Sequence, residues 1–193
     1  DVLSGGAGTD ILHGGDGNDT LTGNNADQLF GDAGDDILYG FYMGFPGSGT
    51  TRVDGGTGYD TLRITTTRTD QKVSAFGGED DDYFDVTGPG AIDLHGHAGR
   101  DRFYLHDLDG WQTLVLGAGS DTVQLDAASG NPVLVFQDFQ AGAGGDCLRF
   151  ENFLAGKLPG WQTDINPFTN STVRLINSAS GALLQYAATS GWK

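Results

Sequence analysis

Residues Gly5–Thr22 are two nine-residue blocks in tandem, each reading Gly-Gly-x-Gly-x-Asp-x-Leu-x. One apolar residue per block cannot build a core alone. It is buried only if successive blocks stack, which makes a coiled array the natural outcome.

The block, numbered one to nine, can be followed along most of the chain. Asp1–Ser4 supplies positions six to nine of a block whose start is missing. Gly23–Phe30 is one residue short, and Gly31–Tyr39 is complete apart from Asp32 at position two. Gly40–Asp54 breaks the register with Pro46 and several aromatics and reads as an inserted loop. The frame returns at Gly55–Arg63, Gly77–Asp85, Gly96–Tyr104, Leu116–Gln124 and Ala141–Arg149. Aspartate holds position six at Asp1, Asp10, Asp19, Asp27, Asp36, Asp60, Asp82, Asp101, Asp121 and Asp146. From Asp60 onward the separations are 22, 19, 20 and 25 residues, so each later coil carries one block and a plain strand and loop on its other side.

Short β-branched or aromatic runs flank these turns. Lys72–Phe76, Ala91–His95, Gln112–Leu116 and Pro132–Phe136 precede them; Tyr83–Val86, Arg102–Leu105 and Thr122–Leu125 follow. No segment keeps a helical period over ten residues. The expected fold is all-β, a stacked β-solenoid. Position eight, filled by Leu12, Leu21, Leu29, Leu38, Leu62, Phe84, Phe103, Val123 and Leu148, should point into the coil. Glycine at positions two and four permits positive φ and turns carbonyl oxygens inward. Carbonyls and a carboxylate are hard oxygen donors, suited to calcium.

The pattern resembles the RTX nonapeptide repeat, from Asp1 to about Arg149. The resemblance implies a parallel β-roll with several Ca2+ ions between turns of adjacent coils. Carbonyls at positions two and four of one turn would pair with those at one and three of the next, and position-six aspartates of both turns would complete each site. Carried onto this sequence, the implied metal residues are Asp1; Gly5, Gly6, Ala7, Gly8 and Asp10; Gly14, Gly15, Asp16, Gly17 and Asp19; Asp27; and Gly31, Asp32, Ala33, Gly34 and Asp36. They continue with Gly55, Gly56, Gly58 and Asp60; Gly77, Gly78, Asp80 and Asp82; Gly96, His97, Gly99 and Asp101; Gly117, Gly119 and Asp121; and Gly142, Gly144 and Asp146. Asp32 and His97 at position two, Asp80 at position four, Leu116 and Ala141 at position one, and the shortened block at Gly23 depart from the pattern. Phe136–Phe153 resembles the terminal motif of RTX proteins, which makes Asp138 a further ligand. The segment Asn166–Tyr186 resembles a stretch near the end of many type I secreted proteins. Its residues alone read as a β-hairpin, 171–177 and 182–188 about the turn 178–181, able to cap an open sheet edge. Four segments result: a first array at 1–39, the loop at 40–54, a second array with longer coils at 55–149, and a capping segment at 150–193.

Charge narrows the function. The chain has 26 acidic against 10 basic residues and a net charge of −16. That disfavours nucleic acid and anionic membranes and favours cations. Cys147 stands alone, so there is no disulfide framework; at the outward position seven, in acidic surroundings, it reads as inert. No apolar run is long enough to span a membrane. The start at Asp1 suggests a piece of something longer, lacking the family's uncleaved C-terminal secretion signal. His95, His97 and His106 read as surface histidines rather than zinc ligands. Trp111, Trp161, Trp192 and the cluster Phe41, Tyr42 and Phe45 read as loop packing, with a sugar as the competing use. No catalytic constellation is recognised, so no enzymatic activity is expected of this segment.

The expected function is a calcium-binding module that folds on reaching extracellular calcium, in a larger protein exported from a Gram-negative bacterium by the type I secretion apparatus. The alternatives are an adhesin, surface-layer or carbohydrate-binding module with a surface glycan as partner, and the support domain of a secreted protease or lipase.

Overall fold

The computed structural model describes residues 1–24, 26–41, 49–125, 132–140 and 145–150, and three further strands at 161–165, 172–177 and 183–187. The described strands are β1 (Val2–Ser4), β2 (Ile11–Asp16), β3 (Thr20–Asn24), β4 (Gln28–Ala33), β5 (Ile37–Phe41), β6 (Thr50–Thr57), β7 (Thr61–Thr65), β8 (Lys72–Glu79) and β9 (Tyr83–Thr87). They continue with β10 (Ala91–Ala98), β11 (Arg102–His106), β12 (Gly110–Val115), β13 (Thr122–Leu125), β14 (Pro132–Phe136), β15 (Cys147–Phe150), β16 (Trp161–Ile165), β17 (Thr172–Asn177) and β18 (Leu183–Ala187).

Odd strands β1 to β15 form one parallel sheet and even strands β2 to β14 the other, each strand pairing with the one two places on. The chain therefore winds as a β-roll, alternating between sheets. Position eight is the inward slot, as expected. In the odd sheet Leu3, Leu21, Leu38, Leu62, Phe84, Phe103, Val123 and Leu148 stand in register. All from Leu21 to Val123 are buried. The even sheet opposes them with Leu12, Leu29, Val53, Ala75, Leu94 and Leu114. Phe84 and Phe103 stack at 4.4 Å between ring centroids.

The insertion is shorter than the sequence suggests. Gly40 and Phe41 belong to β5 and Thr50–Asp54 to β6, so both sheets run past it in register. Gly40 reads as a loop residue, yet it is a strand residue under a crowded core: a Cβ there would lie 3.0 Å from Val53 Cγ2 and 3.3 Å from Ile64 Cδ1. Tyr42, Phe45 and Pro46 lie outside the described residues.

At the C-terminal end β17 and β18 pair antiparallel, and β18 adds in parallel to β14. β16 then pairs antiparallel with β17. The hairpin thus extends the even sheet beyond β14. Its turn, 178–181, and Trp192 lie outside the described residues. Among the described residues no helix is long and apolar enough to cross a membrane.

Candidate metal centre

Turns leading from the even sheet to the odd sheet carry the position-six aspartates Asp19, Asp36, Asp60, Asp82, Asp101, Asp121 and Asp146. Among the described residues the opposite side has only Asp10 and Asp27 at that position. Beyond them that column holds Thr51, Val73, Ile92 and Gln112. One edge of the roll therefore carries a position-six aspartate at every turn, the other, among the described residues, only at its first two.

Backbone conformation follows the repeat. Position two has positive φ at Gly6, Gly15, Asp32, Gly56, Gly78, His97 and Gly117. Position four does so at Gly8, Gly17, Gly34, Gly58, Asp80, Gly99 and Gly119. At these two positions three non-glycine residues, Asp32, Asp80 and His97, accept the left-handed region, at φ of 72° to 80°. Asp and His are among the residues that tolerate it best. Consecutive turns stack so closely that a Cβ on Gly56 or Gly78 would strike the carbonyl oxygen of the preceding coil's position two.

Each aspartate links two coils. Asp36 Oδ1 accepts the backbone N–H of Asp19 at 2.7 Å, and Asp60 Oδ1 that of Asp36 at 2.8 Å. The ladder continues through Asp82, Asp101, Asp121 and Asp146 at 2.9, 2.9, 2.8 and 3.1 Å. Asp1 joins it through its amino nitrogen, which donates to Asp19 Oδ1. The other oxygen is left over. Oδ2 of Asp10, Asp19, Asp36, Asp60, Asp82, Asp101 and Asp121 is buried without a hydrogen-bond partner. Except at Asp121, whose block has Leu116 at position one, it lies over the position-one glycine: a Cβ on Gly14 would sit 2.6 Å from both Asp19 Oδ2 and the Gly31 carbonyl oxygen. Gly31, Gly55, Gly77 and Gly96 repeat this cradle, with Leu116 supplying the facing carbonyl at Gly96.

Burial disfavours charge on these carboxyls. It raises Asp36 above its ordinary value and lifts Asp60 to about 7, Asp82 to about 8, Asp101 to about 6 and Asp121 to about 7. The ladder N–H bonds oppose the shift, and neighbouring aspartates add to it. A buried carboxylate oxygen lacking a donor, repeated coil after coil, is costly unless a cation meets it.

Three aspartates of the implied ligand set are satisfied within the chain. Asp27, in the shortened block, also accepts Asn24 N–H on Oδ2 at 2.7 Å. Asp146 Oδ2 accepts Gln140 N–H at 2.6 Å. Asp138 takes the N–H groups of Leu116 and Gly117 at 2.7 and 2.8 Å, clamping the turn one coil earlier. Gly142 and Gly144 lie outside the described residues. Asp16, Ala7 and Ala33 occupy position three of their turns; Asp16 and Ala7 are exposed and Ala33 half-buried, so only their carbonyls are suited to an inter-turn site.

A second ladder escaped the sequence reading. At position five, Asn18 Oδ1 accepts Asp35 N–H at 3.1 Å, Asp35 Oδ1 accepts Tyr59 N–H at 2.9 Å, and Asp81 Oδ1 accepts Arg100 N–H at 2.8 Å. The signal was present as Asn18, Asp35 and Asp81 at that position. The histidines do not converge: His95 and His97 lie on β10, whereas His106 sits on β11 of the other sheet, bonded to Asp85 at 2.9 Å. Cys147 is exposed and Trp111 is 66% exposed.

Among the described residues no three His, Cys, Asp or Glu side chains converge on one point. A cation between turns would thus draw its remaining donors from backbone carbonyls, which suits a hard ion of the calcium class.

Fold and site together define a parallel β-roll whose turns stack acidic, oxygen-rich bends. Residues 1–25 and 21–41 match the family model described as RTX calcium-binding nonapeptide repeat (4 copies). The chain thus carries RTX calcium-binding repeats in this N-terminal part, within strands β1–β5 of the β-roll. No curated protein matches the chain.

Proposed function

We propose that the roll folds in response to calcium outside the cell, and that this transition supports export and stability of a larger secreted protein. The observation that carries the proposal is the row of buried aspartates whose Oδ2 atoms have no donor. They fit the ion: the donor set is all oxygen, and the position-one glycines leave room that a Cβ would fill. The residues we assign to hold it are Asp10, Asp19, Asp36, Asp60, Asp82, Asp101 and Asp121, with carbonyls of the intervening turns. Calcium supplies positive charge where two acidic turns meet.

The remainder follows from the chain itself. With net charge −16, the unneutralised chain repels itself and resists compaction. Cytosolic calcium is sub-micromolar, which keeps the chain open for threading; extracellular calcium is near millimolar, within the range of weaker calcium modules. An ion that binds only the folded state stabilises it by about 2.7 kcal/mol per independent site at a hundredfold excess over its dissociation constant. Several sites exceed the stability of an ordinary domain.

The test is a calcium titration followed by far-ultraviolet circular dichroism. A cooperative gain of β signal is expected, with magnesium a poor substitute because it demands a tighter octahedron. A chain that shows its full β spectrum in excess chelator contradicts the proposal.

A further inference from the structure

The outer face of the odd sheet carries a feature that ion binding does not use. Position seven presents Thr61, Tyr83, Arg102 and Thr122 on successive strands, and position nine presents Arg63, Asp85, Tyr104, Gln124 and Arg149. Between β9 and β15 these side chains enclose a cleft of about 350 Å³, lined by Tyr83, Arg102, Tyr104, Thr122, Gln124 and Arg149. That volume lies at the lower end of small-molecule sites.

The chemistry of the lining is specific. Arg63, Arg102 and Arg149 are three of the chain's ten basic residues, all exposed on this one face. Among the described residues none of them is in an ion pair, whereas Arg52, Arg68 and Arg100 are each paired with an aspartate. Arg102 lies in the field of Asp81, but that carboxylate is ion-paired with Arg100. Arg102 and Arg149 lie two strands and two residues apart, about 12 Å at the usual strand spacing and rise. Asp85, the acidic group on this face beside the cleft, is held by His106. Tyr83 offers a ring face, and Thr122 offers a hydroxyl between the arginines.

We propose that this cleft binds a carboxylate-bearing sugar, a uronate, either free or as a unit of a chain. A guanidinium fork matches a planar carboxylate in bidentate fashion. The apolar face of a pyranose ring packs on Tyr83, and a ring hydroxyl meets Thr122. Arg63 lies four strands from Arg149, about 19 Å away, and extends the basic track for an oligomer.

The experiment is isothermal titration of the calcium-loaded chain with galacturonate, trigalacturonate and the neutral sugars galactose and maltotriose, repeated with Arg102→Ala, Arg149→Ala and the control Arg68→Ala. Arg68 is an exposed loop residue paired with Asp70 and remote from the cleft. Circular dichroism in calcium checks that each variant folds, since all three side chains are exposed. Binding of a uronate is expected, with affinity reduced about tenfold or more by each cleft substitution and unchanged in Arg68→Ala. Tighter binding of the trimer than the monomer identifies a glycan chain as the source; equal binding identifies the free sugar. Absence of uronate binding, equal binding of neutral sugars, or binding indifferent to Arg102 and Arg149 overturns the proposal.

Discussion

At the scale of the residue, glycine and aspartate have separable jobs, which substitution can distinguish. Gly31 sits where a Cβ would collide with Asp36 Oδ2 and the Gly55 carbonyl. Gly31→Ala is expected to cost about 1–3 kcal/mol by overpacking, read from calcium-saturated urea unfolding. Gly6 has φ of 74° but nothing within 4 Å of its would-be Cβ. Gly6→Ala should therefore cost only its backbone preference, about 1–2 kcal/mol, and raise the calcium midpoint less than Gly31→Ala does. Asp82→Asn keeps an oxygen for the Asp60 N–H and removes the buried charge. It should stabilise the fold in excess chelator while weakening the calcium response. A variant that loses calcium response without gaining chelator stability would contradict the assigned role of Oδ2. The left-handed glycines and the inward leucines were legible in the sequence because both recur at fixed positions. The division of labour between Oδ1 and Oδ2 was not, because it depends on the distance between coils rather than on spacing within one.

At the scale of the element, the turns from Asp60 to Asp121 are tied by carboxyls that burial makes harder to ionise. The ordinary carboxyl value is 3.8, and burial raises Asp101 to about 6, Asp60 and Asp121 to about 7 and Asp82 to about 8. Folding without calcium therefore takes up protons. The stability these groups contribute is present below about pH 4 and is lost as pH rises through about 6 to about 8, at about 1.4 kcal/mol per pH unit for each such carboxyl. Urea midpoints in excess chelator should fall across that window. Calcium affinity should rise across it, because ions and protons compete for the same oxygens; a pH-independent midpoint in chelator would refute this. Strand positions around the later turns were legible from β-branched and aromatic runs. The insertion was misjudged because Gly40, which spares a crowded core, has the composition of a loop. The change from aspartate to Thr51 and Gln112 along the opposite edge was also hidden, since those turns have no fixed frame. Asp138 was singled out from the sequence, yet both its oxygens hold backbone N–H groups.

At the scale of the molecule, coils contact their neighbours, so stability propagates from unit to unit. The stacked phenylalanines lie midway along the roll, and Phe84→Ala should cost about 3–5 kcal/mol, measured in calcium. Strand β18 lies on the edge of β14, and removal of everything after Ala141 uncovers that edge together with β13. Truncation there should raise the calcium concentration needed for folding of the whole array; an unchanged midpoint would reject a capping role for the C-terminal strands. The central claim is that divalent ions meet the unpartnered aspartate oxygens between successive turns. A crystal structure of the chain grown in calcium tests it directly. The account predicts ion density between consecutive turns along the Asp19–Asp121 row, within coordination distance of Oδ2; well-ordered turns in calcium with no ion between them would contradict it.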